Sequence, residues 1–397
     1  MPMCAFERSE KGMDFKMEEK KNEKLNEKSK KITRKIAFVI LMILLVLYVN
    51  DLIRIKLNKP VIFSMWGRKY EVNYEDTEMQ IVTSLEDKIT QNSVWCGTFN
   101  LIWNDLKNDL AKQDIIFKEQ TESVNNLNKG TFSIKDISEE SYYKVYGTPN
   151  KELKEKIEKA IRTKFNETSD ILNDFNWEDA GETDYFLYAM LKKDFKFEKV
   201  FTELENGKFG NYENIKYFGI NEQTEEQVRN QVKVLYYESK DNFAIKLTTQ
   251  GNDEIILSKE NKEDNFLGIY KEIEEKSEKY KGNRNFTKLD KLKIPNISFK
   301  LKKEFEELEN KPFYFSNGRE YEITKALQTI QFELDKEGGK IKSEAGMMVK
   351  DAIAVEEIEK REFYIDDTFT IFLQEEGKDL PYFAARISNI KNVQKEN

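Results

Sequence analysis

Residues Ile36 to Val49 read IAFVILMILLVLYV, fourteen apolar residues without a break, in a chain whose charged residues make up 35% of the total. Such a run has to leave water, and its flanks limit how it does so. Residues 7–35 are almost wholly charged and polar, so 1–35 is expected to be a disordered tail. The run extends to Ile53 by admitting Asn50 and Asp51. At the helical rise, residues 36–53 span about 27 Å, close to the thickness of a bilayer core. By length the shorter run also suits a signal h-region, an interfacial helix or a buried helix opening a soluble protein. No small-x-small cleavage site follows it, however, and its charged flanks resist burial. The reading is an uncleaved transmembrane anchor over 36–53. Lys and Arg number nine over residues 16–35 and five over 50–70, which places the tail in the cytoplasm and the body, 60–397, outside a cell membrane crossed once.

That body has ample material for a core, since 39% of the chain is hydrophobic. Its charges interleave both signs and sum to −8, which argues against a nucleic-acid partner. The chain contains no histidine. Ser-His and Cys-His catalysis, imidazole zinc sites and the commonest general base are thereby excluded. Carboxylates, Lys, Tyr or a cofactor are what is left for chemistry. The acidic doublets Glu356-Glu357, Asp366-Asp367 and Glu375-Glu376 put neighbours on opposite faces of a strand, so none is a catalytic pair, and they read as solvated. Cys4 and Cys96 lie on opposite sides of the apolar run and form no structural disulfide; Cys96, between Trp95 and Gly97, reads as a small buried hydrophobe. No metal-ligand spacing and no cofactor motif is present, and the protein is not expected to be an enzyme.

Along the body, Gly67-Arg68-Lys69 signals a turn, and a helix is expected around Met79 to Ile89. Phe99, Ile102, Trp103, Leu106 and Leu110 predict one amphipathic helix over Trp95 to Leu110. Thr148-Pro149 reads as a helix start, followed by Leu153, Ile157, Ile161 and Phe165 at four-residue spacing. Asp184 to Leu191 contains YFLYAML and is expected to be a strand covered on both faces at the centre of the main sheet. Val232–Tyr237, Phe243–Thr248 and Glu254–Leu257 form a meander, the last two flanking Gly251-Asn252-Asp253. Lys293–Phe299, Ala326–Leu334, Thr368–Leu373 and Tyr382–Ile387 add strands. Helices first and strands later make an α+β domain.

The C-terminal segments carry a family resemblance. Thr368-Phe369-Thr370-Ile371-Phe372-Leu373, then Gln374 to Leu380, then Pro381-Tyr382-Phe383-Ala384-Ala385-Arg386-Ile387 resembles the closing strands of serpins, Pro-Phe-x-Phe-x-x and Pro-Leu-Phe-x-Gly-x-Val, without a gap. Ile294-Pro295-Asn296-Ile297-Ser298-Phe299 resembles the family's Leu-Pro-x-Phe strand, with a short helix expected over Lys302 to Leu308. Tyr188-Ala189-Met190-Leu191 and Phe197-Glu198-Lys199-Val200-Phe201 are similar to its central strand and the segment after it. Glu152 to Leu172 resembles the helix that crosses that sheet, and Phe332 to Gly339, FELDKEGG, resembles the entrance to the reactive loop. Together these segments cover about two hundred residues of the sequence in serpin order. The resemblance implies a mixed large β-sheet with smaller antiparallel sheets and helices on one side. Residues 111–151 leave room for only part of a serpin's helical half, and Thr368 and Ala385 stand where the family has Pro and Gly.

What the resemblance implies for function rests on the loop. Serpin inhibition needs a cleaved loop to insert as a new central strand, through a hinge of small residues. Gly338 and Gly339 supply the entrance, but Lys340, Lys342 and Glu344 follow where inhibitory members have small ones. Ile341, Ser343, Ala345 and Met347 would share one face with Gly339, the alternation of a strand. The preceding Ile330, Phe332 and Leu334 have the other parity, so the phase flips at the glycine pair through a turn or bulge. A loop able to insert and a strand already inserted both fit. The family's spacing puts the scissile bond near Ala352–Ile353, although the stretch to Phe369 is longer than usual. The leading expectation is a membrane-anchored, non-inhibitory module that binds an extracytoplasmic protein, with a protease among the partners considered. The alternatives are a true inhibitor, and a glycan-active enzyme, which needs two carboxylates about 5–10 Å apart.

Overall fold

The computed structural model describes residues 79–397 except 179–180, 182, 260–261, 339–359, 392 and 395–397. The apolar segment 36–53 and the turn at Gly67-Arg68-Lys69 therefore lie outside the described residues. The first elements are β1 (Gln80–Ile81), β2 (Ser93–Cys96) and α1 (Thr98–Asn104), which widens without a break into a π-helix over Asp105–Ala111. Then come α2 (Glu122–Lys129), β3 (Tyr142–Gly147), α3 (Lys151–Phe165), β4 (Phe186–Leu191), β5 (Thr202–Phe209), β6 (Tyr212–Ile220) and α4 (Glu226–Arg229). The meander β7 (Val232–Ser239), β8 (Asn242–Thr248) and β9 (Asp253–Lys259) precedes α5 (Phe266–Lys279). The chain ends with β10 (Lys291–Pro295), β11 (Ile297–Glu304), β12 (Pro312–Tyr314), β13 (Glu320–Glu322), β14 (Leu327–Leu334), β15 (Glu362–Tyr364), β16 (Phe369–Glu375) and β17 (Phe383–Ile387).

The core is organised by a seven-stranded sheet in the order β1-β2-β17-β16-β9-β8-β7. Every residue of β16 is buried. A strand covered on both faces must read as a near-continuous apolar run, and FTIFLQE does so until its last two positions. Its register pairs Phe369 with Ile387, Ile371 with Ala385 and Leu373 with Phe383, as the closing-strand resemblance requires, and all six of these side chains are buried. One face is covered by α5, whose Phe266, Ile269, Tyr270 and Ile273 recur at helical spacing, Phe266 and Tyr270 meeting the Phe372 ring edge-on. A four-stranded sheet, β15-β10-β6-β5, joins the same core through Ile215, Phe218, Leu292, Ile294 and Phe363.

A second layer is built from two separate strand pairs, β3 with β4 and β11 with β14. On β4, Leu187, Ala189 and Leu191 lean on the main core, while Phe186 and Tyr188 join Leu153, Ile157 and Ile161 of α3, with Trp177, in a core of their own. On β11, Ile297, Phe299 and Leu301 face the main core, while Lys300 and Lys302 reach Asp170 at 3.5 Å and Asp174 at 2.9 Å in the segment after α3. Both pairs thus present one face to the main core and the other to the α3 side.

Several local expectations fail for identifiable reasons. Met79 to Ile89 is not a helix, because the buried Asp87 carboxylate collects the backbone N–H groups of Thr83 and Ser84 at 3.0 and 3.1 Å and turns the chain. Trp95 belongs to β2 rather than to the helix after it. The helix starts past Gly97, where a Cβ would lie 2.2 Å from the Phe132 ring. The cap of α3 is Asn150, whose side chain accepts from Leu153 N–H at 2.8 Å, not Thr148-Pro149. Lys293 to Phe299 is two strands, since the chain changes sheets at Asn296, β10 pairing with β6 and β11 with β14. Pairing of β11 with β14 continues to Glu304 and leaves only one helical turn, Glu306–Leu308, of the helix expected over Lys302 to Leu308. Among the described residues β4 pairs with β3 alone, so its place at the centre of a sheet is not realised there. The hairpin β5–β6 had no counterpart in the sequence reading; its register slips at Gly207, which hides the alternation.

Candidate functional site: the loop entrance beside β4 and β14

The chain leaves β14 through a two-residue hairpin. Asp335 and Gly338 exchange backbone hydrogen bonds at 3.2 Å each, and the Asp335 carboxylate accepts from Glu337 N–H at 2.9 Å. Asp and Gly hold the first and last positions of this four-residue turn, where each is favoured. The turn is tied to the segment that follows β4. Phe197 N–H donates to the Glu337 carbonyl at 3.1 Å and Phe201 N–H to the Lys336 carbonyl at 2.9 Å. Gly338 is bridged antiparallel on one side to Asp335 and on the other to Lys196. Its φ is +125°, and a Cβ there would lie 2.4 Å from the Phe195 carbonyl oxygen. Only glycine fits so close a backbone approach.

The segment that the turn meets is packed into the core. Phe197 and Phe201 are buried with their rings edge-on at 4.7 Å, and the Lys196 carbonyl accepts from Gln250 N–H at 2.8 Å in the β8–β9 turn. Lys336 pairs with Glu203 at 2.5 Å, but both are well exposed and the pair contributes little. Past residues 339–359, Arg361 is pinned. Its guanidinium donates to both oxygens of the fully buried Asp290, at 3.0 and 2.7 Å, and to the carbonyls of Asn283 and Asn285 at 2.6 and 2.9 Å.

A buried charged cluster sits just before the receiving segment. Lys193 Nζ lies 2.6 Å from Asp253 Oδ1 and 2.5 Å from Glu375 Oε1, with all three side chains at 8% exposure or less. Ser138 donates to Glu375 through its N–H at 2.8 Å and its hydroxyl at 2.7 Å, and Ser141 adds its hydroxyl at 3.0 Å. Tyr382 donates to Asp253 Oδ1 at 3.0 Å. Burial pushes the Asp253 carboxyl above its ordinary range, more than the Lys193 ammonium pulls it down. For Glu375 burial also pushes upward, but hydrogen bonds from Lys193 and Ser138 outweigh it and hold the carboxyl below its ordinary range.

Of the hinge residues read from the sequence, Gly338 is placed as described, while Gly339, Ile341, Ser343 and Ala345 lie outside the described residues, as do Ala352 and Ile353 of the candidate scissile bond. The chain turns at Lys336-Glu337, ahead of the glycine pair, and the residues that would show the expected phase flip lie outside the described residues. Asp335 and Lys196 escaped the sequence reading; the Asp-x-x-Gly spacing was the available signal for the first, and nothing local marks the second. The doublet Glu375-Glu376 does split between faces, but Glu375 is buried, not solvated, because Lys193 neutralises it. Cys96 is half-buried against the core, with burial raising its thiol. Among the described residues no group of His, Cys, Asp and Glu could hold a metal ion, and no helix is long and apolar enough to cross a membrane.

No protein-family model matches the sequence, and comparison with curated proteins yields no match. Among solved structures the chain is similar to thyroxine-binding globulin in complex with thyroxine, at TM-score 0.35 and 13% identity, over 59% of this chain and 64% of that one, under two thirds of its length. It is similar to Serpin48 of the insect Tenebrio molitor at TM-score 0.34 and 14% identity, over 64% of this chain and 77% of that one. It is also similar to the thermophilic serpin Tengpin in its native state at TM-score 0.43 and 13% identity, over 77% of this chain and 90% of that one. These are structures of the family that the order of the C-terminal strands resembles.

Proposed function

We propose that this protein is a membrane-anchored, serpin-like binding module that recognises an extracytoplasmic protein without trapping a protease. The observation that carries the reading is the position of Gly338, bridged to Asp335 beyond the end of β14 and to Lys196 beyond the end of β4. A turn over Asp335–Gly338, of the kind a reactive loop would need on insertion, supports this reading. The alternation of small or apolar residues at Gly339, Ile341, Ser343, Ala345 and Met347 in the sequence is the pattern that a strand following such a turn needs. A loop already inserted leaves no metastable state to release on cleavage, and release is what drives trapping. Lys340, Lys342 and Glu344 weigh the same way, since each slows entry into a sheet.

Cleavage between residues 339 and 359 by a non-specific protease tests the reading. The melting temperature of the nicked protein is expected to match that of the intact one within a few degrees, and no protease is expected to form a complex that survives boiling in detergent. A rise of roughly tens of degrees, or one such covalent complex, replaces the binding module by an inhibitor. For the anchor over 36–53, protease added to intact cells is expected to digest the body and spare an N-terminal tag; the opposite pattern reverses the topology.

A further inference from the structure

The Lys193 cluster has more order than a charge pair needs. A lysine, an aspartate and a glutamate meet with Lys193 Nζ 2.6 Å from Asp253 and 2.5 Å from Glu375, and they are enclosed by Ser138, Ser141 and Tyr382. We propose that Lys193 and Asp253 become joined by an amide bond between Nζ and Cγ, with Glu375 carrying the proton. This assignment is independent of the loop and of the binding reading above.

The chemistry balances without an oxidant, a reductant or any added group. One ammonium proton passes from Lys193 to the Asp253 carboxylate, giving a neutral amine and a neutral acid. The amine attacks Cγ and the C–N bond forms. The second nitrogen proton passes to Glu375 and from it to the departing hydroxyl, so one C–O bond breaks, one water leaves and Glu375 ends as the carboxylate it began as. Each participant has support in the geometry. The Tyr382 hydroxyl, 3.0 Å from Asp253 Oδ1, is placed to donate to the oxyanion that develops at Cγ. Ser138 and Ser141 fix the Glu375 carboxylate through three donors at 2.7 to 3.0 Å. Burial makes the neutral acid accessible at Asp253, while Glu375 stays ionised as a base.

Two physical terms favour the bond. Reactants fixed in contact behave as though present at an effective concentration of about 10⁵ M or more. A buried ion pair also bears a desolvation penalty that a neutral amide does not. The three residues come from distant parts of the chain: Lys193 lies just past β4, Asp253 opens β9 and Glu375 closes β16. The bond would fasten the α3-side layer to the large sheet covalently, in a chain whose described residues hold no disulfide.

The test is a tryptic peptide map of the full-length protein. With the bond, residues 193–196 appear joined to residues 247–259 in one branched peptide, one water lighter than the sum of the two, and cleavage after Lys193 is lost. Recovery of Asp194–Lys196 and Leu247–Lys259 as separate, unmodified peptides overturns the proposal. Glu375→Gln is expected to fold and to lose the branched peptide. A branched peptide surviving in a folded Glu375→Gln protein removes Glu375 from the step. If that variant does not fold, the wild-type map decides alone.

Discussion

Strands β16 and β14 are of similar length and lie in the same half of the chain, yet among the described residues only β16 is paired on both edges. β16 is paired on both edges, with β17 and β9, and buried along its whole length. β14 takes only β11 as a ladder partner among the described residues, alternates between buried and open positions, and ends in the turn at the loop entrance. The contrast separates two tasks. The large sheet, saturated in hydrogen bonds and packed on both faces, holds the fold. The α3-side layer is split, among the described residues, into two strand pairs with the turn over residues 335–338 beside them.

The sharpest way to break this division is to remove material from each side of one contact. Phe383 of β17 stacks on Phe332 of β14 with ring centroids 4.7 Å apart. Phe383→Ala opens a cavity in the closed sheet and is expected to cost about 3–5 kcal/mol in urea unfolding. Phe332→Ala, on a strand that alternates between buried and less buried positions, is expected to cost less because the site can relax. The double variant should show a coupling of about 0.5–1.5 kcal/mol from the stack. Equal single costs with no coupling mean that the two layers are not distinguished by packing.

A smaller effect sharpens the same comparison at the entrance. Gly338→Ala forces a Cβ to 2.4 Å from a backbone oxygen at φ +125°. Gly377, in the turn after β16, has φ +75° and open space around it. The first substitution is expected to cost about 2–3 kcal/mol and the second about 1 kcal/mol, since only the first adds a clash to the strain. Thermal unfolding of both variants checks this. Similar losses indicate that the turn over residues 335–338 is not held against Lys196 in solution.

The same contrast decides how much could be read in the sequence. β16, β17 and the meander were legible because strands buried on one or both faces carry their environment as an apolar run or an alternation, and Gly251-Asn252-Asp253 marks the turn. The α3 stripe of Leu153, Ile157 and Ile161 was legible for the same reason. β4 shows where that logic stops: YFLYAML predicts cover on both faces, which it has, but cover does not tell which strand lies alongside, and its ladder is with β3. At the entrance, the sequence shows the glycines, whereas Lys196 and the Lys193 cluster are joined by contacts between segments 60 to 182 residues apart, counting from Lys193 to Asp253 and to Glu375. No periodicity encodes such a meeting. Trp95 and Asp87 fail in the opposite sense, as apolar spacing suggested helices that a buried carboxylate and a tight glycine forbid.

The smallest expected effect lies at the far end of β9, and its sign is fixed by pH. Lys259 is buried and holds Asp241 at 3.0 Å and Asp366 at 2.7 Å. Burial pushes its ammonium downward, but the hydrogen bonds it donates to Asp366 and Asp241 outweigh that and leave it above the ordinary lysine range. The hydrogen bond from Lys259 holds the Asp241 carboxyl below the ordinary aspartate range. A depressed carboxyl contributes stability that is fully present above its unfolded value and is lost as pH falls through the folded one. Asp241→Asn should therefore lower stability at neutral pH and converge with the wild type at acid pH. Asp241 is 62% exposed, so solvent screening limits the difference to about 0–1 kcal/mol. Urea unfolding at neutral and acid pH measures it. A loss of the size seen on opening the Phe383 cavity would mean that this edge of the large sheet depends on charge, not on burial, and would erase the distinction between the large sheet and the α3-side layer.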